Sequence, residues 1–241
     1  MHLISTAIII AIGMCFAASG ASADKANVKF GGLNLFIPVP SGQCVLGSET
    51  PAEANLLSWA TAGQLAATNK LLIYLTECSV IEALQNGYNI GHKLSYTIIV
   101  AQLIGGKEII FPKATQKQFS KQSSVGLNFS DEMVAEMLGS LTKDGIAQKH
   151  GIPESYLKKR EATSFVVLDN SDALYFARIS KTLQKSSDNQ PIWLANLGAA
   201  RLINGIPLYL FSYSPFEDDS TITTKLSVMK SLVAAIIEEN P

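Results

Sequence analysis

PAEANLLSWATAGQLAATNKLLIYLTEC, residues 51–78, can be read in two ways, and the choice between them decides the fold. As one amphipathic helix it would be about 40 Å long at 1.5 Å per residue. As a helix that stops near Thr68-Asn69 and continues as a strand, it turns back on itself. Leu71-Leu72-Ile73-Tyr74-Leu75 is a compact apolar run of strand length, which suits a buried strand better than one face of a helix. Thr50-Pro51-Ala52-Glu53 reads as a capping box with Pro at the first helical position, and Leu56, Leu57, Ala60 and Gly63 or Gln64 continue the stripe. The broken reading gives a strand from Leu33 to Val39, a helix over about 51–67 and a strand over about 70–77.

The chain opens MHLISTAIIIAIGMCFAASGASADK, an apolar run from Leu3 to about Ala18 followed by Ala21-Ser22-Ala23. This is the pattern of a secretory signal peptide over residues 1–23, with cleavage after Ala23 and a mature start near Asp24. No Lys or Arg precedes the run, so only the α-amino group and His2 supply positive charge. The competing reading is a retained anchor, but the run falls short of the roughly 20 residues of a spanning helix, and Gly13 and Gly20 interrupt it. Acylation at Cys15 would need a small residue where Met14 stands. The expected location is the bacterial periplasm or the medium outside the cell.

Of the 241 residues, 47% are apolar and 16% charged, enough for a substantial core and too uncharged for a disordered chain. Residues 24–241 suit a single domain, and no second long apolar run is present, so no membrane span is expected after cleavage. A formal net charge of −1 leaves no basic surplus for nucleic acid. Lys158-Lys159-Arg160, followed by Glu161, reads as a solvated turn or helix end.

Without the leader, Cys44 and Cys78 remain, and in an exported protein an even pair argues for a disulfide. The seven residues from Cys44 to Pro51 reach at most roughly 23 Å when extended. A disulfide needs Cα atoms about 5.5 Å apart, so one straight helix to Cys78 would forbid it. The broken helix removes the conflict: in a right-handed crossover between parallel strands, both cysteines lie just past the strands' C-terminal ends. Pairing also withdraws Cys44 as a candidate nucleophile.

Val80 to Leu84 reads as a helical turn ending at Asn86-Gly87, and Leu94 to Ile104 as a β-branched strand bounded by Gly105-Gly106. From about 112 to 160 comes a polar, Gln- and Lys-rich helical insertion, expected to be the most mobile part, with Ser130-Asp131-Glu132 as a helix start. Ser164–Leu168 and Leu174–Ile179 flank a polar turn at 169–172, and Ile192–Ile203 and Ile206–Ser214 flank Asn204-Gly205, a strong hairpin signal. These four runs predict an antiparallel meander. Asp218-Asp219-Ser220 then caps a helix with Ile222, Leu226, Met229, Leu232, Val233 and Ile236 on one stripe. The expected class is α+β: a mixed, mainly antiparallel sheet packed with helices, including a C-terminal one.

LNLFIPVPSGQC near the start, and NGIPLYLFSYSPF before the helix from Thr221 to Asn240, give the chain a plan that resembles the PsbP-like α/β/α sandwich. The insertion at 112–160 departs from that plan. Members of the group act mostly as assembly factors, binding proteins or modules of unknown role, so the resemblance implies a non-enzymatic protein and carries over no catalytic residues.

The residues themselves offer little catalytic pattern. His92 reads as a surface-loop residue, and His150 as a helix-end cation matched to the dipole. No H-x-x-x-H, C-x-x-C, G-x-S-x-G or phosphate-loop spacing occurs, so no metal or other cofactor is expected. Tyr209, Phe211 and Tyr213 alternate along one strand and share a face, with Leu208 and Leu210 on the other. A helix-covered sheet needs such a face as core, and that reading is preferred. Buried Tyr hydroxyls seek polar partners, which keeps a ligand pocket or partner groove open as the second reading. The leading expectation is an exported cell-envelope binding or accessory protein without a catalytic centre, whose partner is a protein or a small apolar ligand. The alternative is a periplasmic hydrolase with a site assembled around His92 or His150 from a nearby Ser and Asp.

Overall fold

A computed structural model describes residues 24–88, 95–126, 166–185 and 191–241. The Thr50 hydroxyl accepts from the Glu53 N–H at 3.3 Å and the Glu53 carboxylate accepts from the Thr50 N–H at 2.8 Å. That capping box starts helix α1 (Pro51–Ala66), which ends where Thr68 turns to φ +56°. Strand β4 (Asn69–Glu77) follows at once, so residues 51–78 do break into helix and strand. Helix α2 (Cys78–Gln85) starts directly after it.

Before α1 the chain forms β1 (Lys25–Phe30), β2 (Leu33–Pro38) and β3 (Gln43–Val45). The expected parallel crossover is corrected here: β2 pairs with β1 in a two-stranded sheet of its own, and β3 runs antiparallel to β4, with Cys44 opposite Thr76. Gly31-Gly32 makes the hairpin turn that occupies β2, and a turn closed by Gln43 N–H on the Pro40 carbonyl reverses the chain into β3. The Cys44–Cys78 disulfide forms, with Cα atoms 4.9 Å apart, because Cys78 follows β4 by one residue.

The main sheet adds β5 (Tyr96–Ile104), β6 (Lys107–Glu108), β7 (Val166–Asn170), β8 (Leu174–Lys185), β9 (Pro191–Ile203) and β10 (Ile206–Pro215). Its order is β3-β4-β5-β10-β9-β8-β7, with β6 paired to β5, and every described pairing is antiparallel. The meander β7–β10 and the Asn204-Gly205 hairpin stand as the sequence predicts. Helix α3 (Gln116–Gly126) and helix α4 (Asp219–Glu239, capped by Asp218) complete the described elements.

Alternation along the strands sorts side chains between two layers. Leu208, Leu210, Ile73, Leu75 and Ile99 pack with Phe30, Leu35 and Ile37 of the hairpin and with Met229, Leu232, Val233 and Ile236 of α4. The opposite face, with Tyr74, Ile98, Val100, Tyr209, Phe211 and Tyr213, packs under α1 and α2, while Phe119 of α3 covers Leu174 and Phe176. The fold class is therefore α+β, with helices on both faces of an antiparallel sheet.

Among the described residues, α4 is the one helix long and apolar enough to cross a membrane by length and composition. Its stripe is buried, and polar contacts hold it at its middle and at its C-terminal end. The Asn240 side-chain N–H donates to the carbonyls of Phe36 and Ile236, each at 2.8 Å, and its oxygen accepts from the Phe36 N–H at 3.0 Å. Under three turns earlier, at the middle of the helix, the Lys230 ammonium pairs with Asp169 of β7 and lies 5.4 Å from the Tyr175 ring centre. Residues 1–23, the helix start at Ser130, the run at Lys158–Arg160 and both His92 and His150 lie outside the described residues.

Candidate functional site

Helices α1 and α3 leave part of the aromatic face uncovered between them. The gap is a pocket of about 390 Å³. Its floor is Tyr209 and Phe211 of β10, with Leu202 of β9 and Gln102 and Ile104 of β5 beside them. Thr68 and Asn69 form one wall where α1 passes into β4; Gln118, Phe119, Gln122 and Ser123 of α3 form the other. Phe111 and Ala114 close one end.

Local rules place each wall. Thr115 and Gln118 form a reciprocal cap: the Gln118 side-chain oxygen accepts from the Thr115 N–H at 2.9 Å, and the Thr115 hydroxyl accepts from the Gln118 N–H at 3.3 Å. One residue on, Gln116 lies against β9 as a strand would: its oxygen accepts from Leu202 N–H at 2.7 Å and its N–H donates to the Ala200 carbonyl at 3.2 Å. These bonds satisfy a stretch of β9 that extends beyond its pairing with β8 and fix α3 over the sheet. Phe111 is held by its N–H donating to the Gly205 carbonyl at 2.7 Å. Gly205 must be glycine for this approach, since its φ is +80° and a Cβ would stand 2.8 Å from Ile110 Cγ2 and 2.9 Å from the Phe111 carbonyl carbon.

The floor is a set of aromatic contacts. The Tyr209 and Phe211 rings lie nearly parallel, 9° apart, with centres 6.4 Å apart, and Phe119 meets Tyr209 edge-on at 5.6 Å. Phe211 meets Phe176 edge-on at 6.0 Å across Gly198, where a Cβ would come within 2.2 Å of the Phe176 ring. The Tyr209 hydroxyl shares a 3.2 Å hydrogen bond with Ser123. Burial pushes the Tyr209 phenol above its ordinary range, and the Ser123 bond partly offsets this. Among the described lining residues it is the only ionisable side chain, and these residues carry no formal charge at neutral pH.

The sequence brings Tyr209, Phe211 and Tyr213 onto one face, but the pocket uses only the first two. Tyr213 belongs to a stack: Tyr74 and Tyr96 have ring centres 5.0 Å apart, and Tyr96 and Tyr213 4.7 Å. Burial, and then the neighbouring Tyr213, raise the Tyr74 phenol. Part of the aromatic face is thus core under α1 and α2, and part is pocket floor. The walls were not evident in the sequence because they come from separate elements; the Thr115-x-x-Gln118 cap was the available signal for α3. Among the described residues, no group of three or more His, Cys, Asp or Glu could hold a metal ion. No family model, curated protein or solved structure matches the chain.

Proposed function

We propose that this is an exported, disulfide-stapled binding protein of the bacterial cell envelope, which takes a small ligand between α1 and α3 and performs no reaction on it. The observation that carries this reading is the pocket itself, with an aromatic floor and polar walls in the size range of small-molecule sites. Thr68 supports it: a β-branched residue at φ +56° is uncommon, and backbone strain of this kind clusters at ligand sites. The A-x-A leader and the Cys44–Cys78 bond favour export to an oxidising compartment. The absence of a reaction is taken from the PsbP-like resemblance, which implies a non-enzymatic protein. In this reading α4 is a core helix, held by its buried stripe and by Asn240.

The test is ligand-observed saturation-transfer NMR on chain 24–241 with fragments covering phenols, indoles, fatty acids, hexoses and amino acids. At least one class should give signals that Ala114→Trp, which fills the pocket from its end, abolishes while the circular dichroism spectrum is retained. Signals from no class, or signals that all survive in the variant, overturn the reading.

A further inference from the structure

The aromatic strand alone points to an apolar ligand, but the walls above it ask for something else. Asn69, Gln102, Gln118 and Gln122 bring four carboxamides to the lining, and each can both donate and accept. Their free valences differ in kind. The Gln118 oxygen is committed to Thr115, which leaves that side chain its N–H donors. One Asn69 N–H is committed to Gln64 at 3.3 Å, which leaves that side chain its second N–H and its acceptor oxygen. A wholly apolar occupant would strip water from these groups and return nothing. A charged occupant would lose its hydration against walls whose described residues offer no countercharge.

We infer that the pocket takes an uncharged, polyhydroxylated ligand, a neutral saccharide or polyol. A hydroxyl donates and accepts, so it satisfies the Gln118 donors on one wall and the Asn69 acceptor on the other. The nearly parallel Tyr209 and Phe211 rings on the floor offer apolar surface to the C–H face of a pyranose ring. Free amino acids and short peptides are zwitterions and fail the charge condition. The inference rests on the proposed pocket and specifies its ligand class.

Isothermal titration calorimetry on chain 24–241 tests it, with glucose, galactose and cellobiose set against glucuronate and glucosamine, and hexanoate as an apolar probe. At least one neutral sugar should bind with an affinity flat between about pH 5 and 8, because the described lining holds no His or carboxylate. Its charged counterparts should bind at least about tenfold more weakly. Gln122→Leu, at an exposed position outside the α3 cap, should weaken sugar binding about tenfold and leave the melting temperature unchanged. Charged sugars binding as well as neutral ones, or an unchanged affinity in Gln122→Leu, overturn the inference. Hexanoate or another non-sugar fragment binding in an Ala114→Trp-sensitive way, with no sugar bound, overturns the saccharide class and leaves the pocket reading standing.

Discussion

Glu53 is 1% exposed, yet its carboxylate accepts from the Thr50 N–H, the Thr50 hydroxyl and the Gln85 side chain. Desolvation pushes its pKa upward, but these hydrogen bonds together outweigh it, and the group titrates below its ordinary value of 4.5. Since the folded carboxyl titrates lower than the unfolded one, its contribution is complete above pH 4.5 and is lost as pH falls through the folded value. Urea midpoints measured from neutral pH down to about pH 3 should therefore fall more steeply for the wild type than for Glu53→Gln. At neutral pH, Glu53→Gln should cost about 1–2 kcal/mol, because a charged acceptor is replaced by a neutral one. Parallel curves for the two proteins would contradict this account. The residue was legible in the sequence as the fourth position of Thr50-Pro51-Ala52-Glu53; its bond to Gln85 was not, because it joins two helices.

At the scale of elements, α4 depends on two ties that no periodicity reveals. The stripe Met229, Leu232, Val233 and Ile236 is visible as helical spacing, but Asn240 makes its bonds to Phe36 across 204 positions of sequence. Asn240→Ala would leave both the N–H and the carbonyl of a half-buried β2 backbone unit without their partner, and should destabilise the protein by about 1–3 kcal/mol. Hydrogen exchange should show the loss first at Phe36 and in the last turn of α4; uniform loss across the sheet would argue against a local clamp. The capped helices and the Asn204-Gly205 hairpin could be read because their signals are local. β1 could not be read as readily: its Lys-Ala-Asn-Val-Lys-Phe alternates exposed and half-buried positions, and only Phe30 is fully buried. β3 has three residues, too few for any period to show, and it reverses the strand direction in the first half. The pocket escaped for the same reason as the Asn240 clamp, since its walls come from the α1–β4 passage, α3 and the 111–114 segment over a floor from β5, β9 and β10.

For the whole molecule, the Cys44–Cys78 bond spans a sequence separation of 34 and ties β3 to the start of α2 at one edge of the sheet. A loop of this size should contribute about 4 kcal/mol on the chain-entropy account. The Cys44→Ser/Cys78→Ser variant should melt well below the wild type, and a reductant should lower the melting temperature of the wild type alone. Intact-mass measurement on protein recovered from the periplasm should give a chain starting at Asp24 without free thiols; two reactive thiols would contradict it.

The pairing of Asn240 with Phe36 also sets a schedule. Ribosomes deliver the chain in order, and the inner side of β1–β2, with Phe30, Leu35 and Ile37, packs against a helix that begins at Asp219. Until that helix emerges, this layer lacks the part of its cover that α4 supplies, so this half of the core is completed only at the end of synthesis. The last stretch to be made is thus the one that completes the contacts of the first.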